Sequence, residues 1–535
     1  MTAWSRCLSA PQQPRFDFCC MQRSHDPSAI DACCLSLTFN PSGSAMSSLL
    51  RRSTIKMLKF AGFTLLGGTF AIVAVLVIYL KSQPDLELWH TAHFQQEYRQ
   101  DSNVATLKEY QALEDRLFEE LDREVLAQLT FDDADELNRF QPGSISNPET
   151  WPENHNRTFI LEQDTPAASV LLLHGMSDGP YSLRSLGEKL HQSGATVAGL
   201  RLPGHGTAPA GLLDVTAEDM VSATALAVRD LHNRAPDKPL YIVGYSNGAA
   251  LAVVYALRQL DTPDLPRADK IVMLSPAIGV TPAAAYAPLA IRLGHILGVQ
   301  HLAWNATGPE YDPYKYTSFA INAGYVTRKL TVEIRDRMRA HFDAGTHDGL
   351  PPILGFSSTV DATVVTRDMI TNLYGLLPQN GSELFLFGTN QLMTQRPILA
   401  DGSAEFVKAA LGDETRTYAL HLLTNETASV PDTVVERTPA GANTADRVPT
   451  GVSWPRGVYS LAHVSLPFAR EDPLYGVVPA PEHSRLQLGN LALRGERGMS
   501  EVPPADMLRM RWNPFHDVML HKTRDFLQLD ATPDG

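Results

Sequence analysis

The chain has 535 residues, 44% hydrophobic and 19% charged, with a formal net charge of −14. This is the composition of a globular protein with room for one large domain plus appendages, and an acid excess without a basic stripe argues against nucleic-acid binding. All five cysteines (Cys7, Cys19, Cys20, Cys33 and Cys34) lie near the N-terminus, so the main body needs no disulfide, thiolate metal site or cysteine nucleophile.

Residues 1–45 are polar, dotted with proline and serine, and show no apolar period; they read as a disordered extension, or as sequence upstream of a true start at Met46. From Phe60 to Leu80 no charged residue occurs. At the rise of an α-helix this run spans about 30 Å, the thickness of a bilayer core. Arg51, Arg52, Lys56 and Lys59 precede it, whereas Asp85 and Glu87 come after Lys81. The positive-inside rule then puts the N-terminus in the cytoplasm and the bulk of the chain outside. The residues before Lys81 lack the small side chains of a cleavage site, so residues 46–83 are expected to be an uncleaved, single-pass anchor in an inner or cytoplasmic membrane.

Residues 84–150 form a juxtamembrane segment. Within it Leu107, Tyr110, Leu113, Leu117 and Leu121 recur at helical spacing with charge on the other face, which predicts an amphipathic helix packed on the domain C-terminal to it. Asn147-Pro-Glu-Thr-Trp-Pro152 reads as a linker. From there the pattern alternates. Short β-rich runs (157–161, 169–173, 195–200, 240–243, 270–274, 352–357, 383–387) are separated by helical stretches such as 182–192 and 216–234. Continuous apolar strands of this kind belong to a parallel sheet covered on both faces, with ligands bound at the carboxyl ends of the strands. Residues 151–535 are therefore expected to form one α/β domain. A segment at about 277–349, opening on proline and alanine and rich in tyrosine (Tyr311, Tyr314, Tyr316), and another at about 390–455 exceed what the sheet needs.

The strand 240–243 runs into Gly244-Tyr-Ser-Asn-Gly248 and then an alanine-rich helix. That is the context a nucleophile elbow requires: the turn is too sharp for side chains two residues either side of the serine. An oxyanion needs two backbone N–H donors. Asn247 supplies one, and His174-Gly175 after the strand 169–173 turns the Met176 N–H into place for the other. His174 and His205 read as loop braces.

Leu-Leu-Leu-His-Gly (171–175), Leu-Pro-Gly-His-Gly-Thr (202–207) and Gly-Tyr-Ser-Asn-Gly (244–248), in this order, resemble the α/β-hydrolase superfamily. More narrowly they are similar to its bacterial carboxylesterase, monoacylglycerol lipase and lysophospholipase-like branch. The resemblance covers roughly residues 155–530. It implies an eight-stranded, mostly parallel sheet with helices on both faces, a cap over the site at about 277–349, and a Ser–Asp–His triad in that chain order. On that pattern the acid is Asp361, just past an apolar strand with Val364 three residues on. The histidine belongs after the strand 383–387, but none lies close behind it. His421 sits inside an expected strand, 418–423, and His516 precedes a C-terminal helix expected at about 517–527. His463, in Ser460-Leu-Ala-His-Val, is similar to the family's Ser-x-His-Val loop with one extra residue, and His516 is the alternative. The implied activity is hydrolysis of a carboxylic ester of a lipid or small molecule through an acyl-enzyme, with no metal or other cofactor. An amidase or peptidase of the same fold and a non-catalytic, membrane-tethered binding module are the rivals. The oligomeric state is not legible.

Overall fold

The structure is a computed structural model that describes residues 43–82, 85–130, 137–279, 282–392, 404–479, 486–490 and 508–529. Most of the N-terminal extension and the start of the 390–455 segment lie outside the described residues. The chain divides into two compact units, Met1–Val75 and Leu76–Gly535. In the first, a helix begins at Gly43 and runs on to Lys81. Its stretch Ser53–Tyr79 is long and apolar enough to cross a membrane, with a mean hydropathy of 2.3 and no residue of that window buried.

The second unit is built on a ten-stranded sheet. Its strands in chain order are β1 (Phe159–Leu161), β2 (Ala168–Leu173), β3 (Ala195–Leu200), β4 (Leu240–Tyr245), β5 (Lys270–Leu274), β8 (Ile353–Ser358), β9 (Glu383–Phe387), β10 (Ala419–Asn425), β11 (Asp432–Thr438) and β12 (Asp446–Ser453). A separate two-stranded ribbon pairs β6 (Trp304–Ala306) with β7 (Phe319–Ala320). The large sheet has the order β1-β3-β2-β4-β5-β8-β9-β10-β11-β12. Neighbours from β3 to β10 are parallel; β1 and the β11–β12 hairpin add antiparallel edges. The sheet thus exceeds the expected eight strands because the 390–455 segment extends it.

Every residue of β2, β3, β4 and β8 is buried, as continuous apolar strands require when both faces are covered. Alternate side chains go to opposite faces. Leu171, Leu173, Ile242 and Met273 join the core beneath the helices Ala217–Arg234, Asn247–Asp261 and Ile321–Ala344. Val170, Leu172, Val243 and Val272 join the core beneath Tyr181–Gln192 and His516–Leu527. Connections leave β2 first toward β3 and then toward β4 on its other side. The carboxyl ends of β2 and β4 therefore flank a topological switch point, where open α/β sheets bind ligands.

Part of the segment between β5 and β8 belongs to the core of the sheet. The helix Ala287–Leu297 and the β6–β7 ribbon lie ahead of the helix Ile321–Ala344, and that long helix packs Val326, Leu330, Ile334 and Met338 into the sheet's core. The helix Leu107–Glu124 starts on a reciprocal cap between Thr106 and Glu109. It buries Leu107, Tyr110 and Leu113 in the same core.

Candidate active site

Ser246 comes directly after β4 and precedes the helix Asn247–Asp261, with φ 53° and ψ −112°. A non-glycine residue in this region carries backbone strain and persists only where its surroundings over-determine it. Here the Ser246 N–H donates to the Leu274 carbonyl (2.9 Å), and its own carbonyl accepts from the Ala277 (3.1 Å) and Ala249 (3.1 Å) N–H groups. The flanking glycines are sterically compelled. A Cβ on Gly244 would lie 2.5 Å from Ala249, and one on Gly248 would lie 2.0 Å from the Leu173 carbonyl oxygen.

His463 reaches this serine. Its Nε2 is 3.0 Å from Ser246 Oγ, and its Nδ1 is 2.8 Å from Asp361 Oδ2. Both of these side chains, His463 and Asp361, are buried. The second oxygen, Asp361 Oδ1, accepts from the Thr363 (2.8 Å) and Val364 (3.1 Å) N–H groups. Burial opposes ionisation of Asp361, but the hydrogen bond and charge of His463 and these two N–H donors outweigh it and hold the carboxyl below its ordinary value. The structure thus brings Ser246, Asp361 and His463 together. His516 stays apart: it opens the C-terminal helix, bonds the Pro467 carbonyl and is driven down to about 4 by burial.

How a histidine so far along the chain returns to the end of β9 is visible in the backbone. The chain leaves β9, adds β10 and the β11–β12 hairpin, and then re-enters over the carboxyl edge. There the Asn390 N–H donates to the Tyr459 carbonyl (2.8 Å) and its side-chain amide donates to the Val458 carbonyl (2.9 Å). The His463 loop is thereby tied to the first residues after β9, where a short connection would have put it. His421 lies on β10, with Nε2 2.6 Å from Glu383.

Around the turn, His174 and His205 brace the neighbouring loops. His174 Nε2 accepts from the Leu202 N–H (3.0 Å) and His205 Nε2 accepts from the Ser177 N–H (3.0 Å), each ring donating from Nδ1 to a carbonyl. Burial keeps both rings neutral, His205 at about 4 and His174 well below its ordinary value. Met176 lies between these braces in the loop after β2. Asn247 begins a helix, where the first N–H groups have no intrahelical acceptor.

Ser246, Met176 and His463 open onto a cavity of about 470 Å³. Part of its wall is apolar, from Phe319, Val464, Phe468 and Tyr245. The rest is charged in a way the sequence did not disclose. Lys315 Nζ is 2.8 Å from Asp178, and Tyr475 donates its hydroxyl to Asp312 (2.8 Å). Arg511 stands 3.9 Å from Asp312 and donates to the Tyr311 hydroxyl (3.1 Å). Arg509 donates to Thr363 Oγ1 (2.6 Å). Arg509 and Arg511 alternate in Arg-Met-Arg-Trp (509–512), a period that could have marked one polar face of an extended stretch. Tyr311 and Tyr316 line the cavity, whereas Tyr314 is buried in a cluster of aromatic residues with Tyr181 and Tyr475. Among the described residues no cluster of His, Cys, Asp or Glu is arranged to hold a metal.

Comparison with known proteins bears on the central part of this unit. No curated protein matches the chain significantly. Solved structures similar to it include those of the metagenome-derived lipolytic enzymes LipS and LipT (22% identity, 44% of this chain and 87% of that one, TM-score 0.33). A monoacylglycerol lipase from Paleococcus ferrophilus (20%, 43% and 89%, 0.32) is another. A third is a soluble variant of monoglyceride lipase from Saccharomyces cerevisiae (14%, 43% and 82%, 0.34). The family profile described as "Serine aminopeptidase, S33" matches residues 164–332. The matched stretch runs from just before β2 into the helix Ile321–Ala344 and takes in the turn at Ser246, so the likeness to that family lies in this part of the chain.

Proposed function

We propose that this protein is a membrane-anchored serine hydrolase that cleaves carboxylic esters through an acyl-enzyme. One observation carries the reading: His463 bridges Ser246 and Asp361 at 3.0 and 2.8 Å, the contacts that serine activation needs. His463 Nε2 takes the proton as Ser246 Oγ attacks the ester carbonyl. Asp361 keeps the proton on Nδ1 and stabilises the imidazolium. The N–H groups of Met176 and Asn247 receive the oxyanion. His463 then protonates the leaving alcohol, and water attacks the acyl-enzyme with the same histidine as base.

The description of the matched family as a serine aminopeptidase raises amide cleavage as a second reading. A free α-amino group needs an unengaged carboxylate. Asp178 is paired with Lys315, and Asp312 accepts from Tyr475 and from the Tyr314 and Lys315 N–H groups. Both cavity carboxylates are engaged, which favours the ester. The apolar helix Ser53–Tyr79 supports a membrane tether, and the basic residues before it support a cytoplasmic N-terminus with the hydrolase unit on the periplasmic side.

Purified protein should be labelled at Ser246 by a fluorophosphonate and should hydrolyse acyl esters faster than aminoacyl amides. Ser246→Ala should remove labelling and lower kcat by roughly 10⁴-fold or more. Unlabelled Ser246 would sink the enzyme reading; faster turnover of the amides would replace the ester with the peptide bond.

A further inference from the structure

The cavity beside Ser246 holds three cations, Lys315, Arg509 and Arg511, against two carboxylates, Asp178 and Asp312. Both carboxylates are committed. Asp178 holds Lys315 at 2.8 Å. Asp312 faces Arg511 at 3.9 Å and accepts from the Tyr475 hydroxyl. Burial pushes the Asp312 carboxyl up, against the pull of Arg511 and of the Tyr314 and Tyr475 hydrogen bonds. Arg509 is different: its side-chain bond is to a neutral hydroxyl, Thr363 Oγ1, and no carboxylate lies within ion-pair distance of it among the described residues. A local cationic excess in a protein of net charge −14 is not a by-product of composition.

Its position matters as much as its sign. Thr363 donates its own N–H to Asp361 Oδ1 (2.8 Å), so the Arg509 guanidinium sits two residues from the carboxylate that faces His463. A guanidinium offers five donors in a planar fork matched to carboxylate or phosphate oxygens. Held beside a hydroxyl at a cavity wall, that fork has no second side-chain acceptor among the described residues and so has donors left for a ligand.

We infer that Arg509 is a specificity-determining residue that binds an anionic group, phosphate or carboxylate, on the substrate, so that the substrate class is an acyl ester of an acidic alcohol rather than a neutral acylglycerol. This rests on the ester-hydrolase reading above. The anionic group seats against Arg509 with Arg511 next to it, while the acyl chain takes the apolar wall at Phe319, Val464 and Phe468.

The experiment uses the full-length protein in a non-ionic detergent and three esters with one acyl chain: on glycerol, on glycerol phosphate, and on the hydroxyl of a short hydroxy acid. In the native protein kcat/KM for at least one anionic ester should exceed that for the glycerol ester by roughly tenfold or more, the worth of a hydrogen bond to a charged group. Arg509→Gln should lower that ratio by a similar factor and Arg509→Lys should retain part of it. The phosphate and carboxylate arms identify the group. If Arg509→Gln fails to fold, the native protein still decides: glycerol phosphate or a free dicarboxylate should inhibit hydrolysis of the glycerol ester competitively. A flat ratio in the native protein, or a ratio unmoved by Arg509→Gln, overturns the inference while leaving ester hydrolysis intact. Absence of all ester hydrolysis with Ser246 unlabelled overturns the hydrolase reading, and this inference with it.

Discussion

Ser246 shows how much of a site can rest on glycine. Its φ of 53° costs on the order of 1–3 kcal/mol, and the turn closes only because Gly244 and Gly248 let Ala249 and the end of β2 approach. Gly248→Ala should therefore destabilise the fold by about 3 kcal/mol through overpacking. It should also abolish fluorophosphonate labelling, because the Cβ displaces the Leu173 carbonyl and the loop that carries Met176. Denaturant midpoints and labelling of the variant check both. His516 makes a second prediction at this scale. Burial holds its ring at about 4 when folded against 6.5 unfolded, with the Asp517 charge and the Pro467 carbonyl opposing. Between those values the unfolded chain takes up the proton and the folded chain does not. The contribution to stability is fully present above pH 6.5 and is lost as pH falls toward 4. Replacing the ring by His516→Asn should shrink the difference in unfolding free energy between pH 7 and pH 5 by about 2 kcal/mol, measured by urea denaturation at both pH values.

Among the elements, the helix Leu107–Glu124 is the one whose role exceeds its amphipathic pattern. Its buried face carries Tyr110 and Glu114 among leucines. Arg201, fully buried in the loop after β3, donates to Glu114 Oε1 (3.0 Å) and to both oxygens of Glu97 (2.9 and 3.1 Å), and Tyr110 donates its hydroxyl to the Arg201 carbonyl (2.8 Å). This stretch thereby fixes the Leu-Pro-Gly-His loop whose His205 braces Ser177. Arg201→Leu leaves two buried carboxylates without their cation and should cost about 3–5 kcal/mol, read from chemical denaturation. A loss below about 1 kcal/mol would show that the network tolerates water and does not hold the loop.

For the whole molecule the question is which residues after the helix Gly43–Lys81 belong with the α/β sheet. Trp89 stacks on Phe140 (5.0 Å) and its carbonyl accepts from the Ala210 N–H (3.0 Å), His90 bonds Ser318 (2.9 Å), and the Arg139 N–H donates to the Glu310 carbonyl (2.8 Å). Residues 85–150 are thus stitched to both the β3 loop and the segment between β5 and β8. Removing residues 1–84 should leave a protein that elutes without detergent and retains ester hydrolysis, whereas removal of residues 1–150 should give insoluble or inactive protein. Size-exclusion chromatography with the ester assay distinguishes the two.

Much of this was legible in the chain itself, because strong local rules apply where β-strands are wholly apolar and where a turn admits only glycine. The parallel sheet, the turn at Ser246, the bracing roles of His174 and His205 and the apolar run at 60–80 all come from short-range pattern. Asp361 and His463 were legible only through likeness to a family pattern. With β10 to β12 lying between β9 and His463, spacing alone could not choose that histidine over His516. Tertiary structure decided what depends on distant segments meeting. Asn390 ties the His463 loop to β9, the helix Ile321–Ala344 serves the sheet as well as the cavity, and Glu97, Glu114 and Arg201 share one buried network. The charge of the cavity was hidden for the same reason: Asp178, the pair Asp312 and Lys315, and the pair Arg509 and Arg511 come from three separated stretches of the chain, and whether a cation is spent on a carboxylate or left for a ligand is settled only by which of them come within bonding distance.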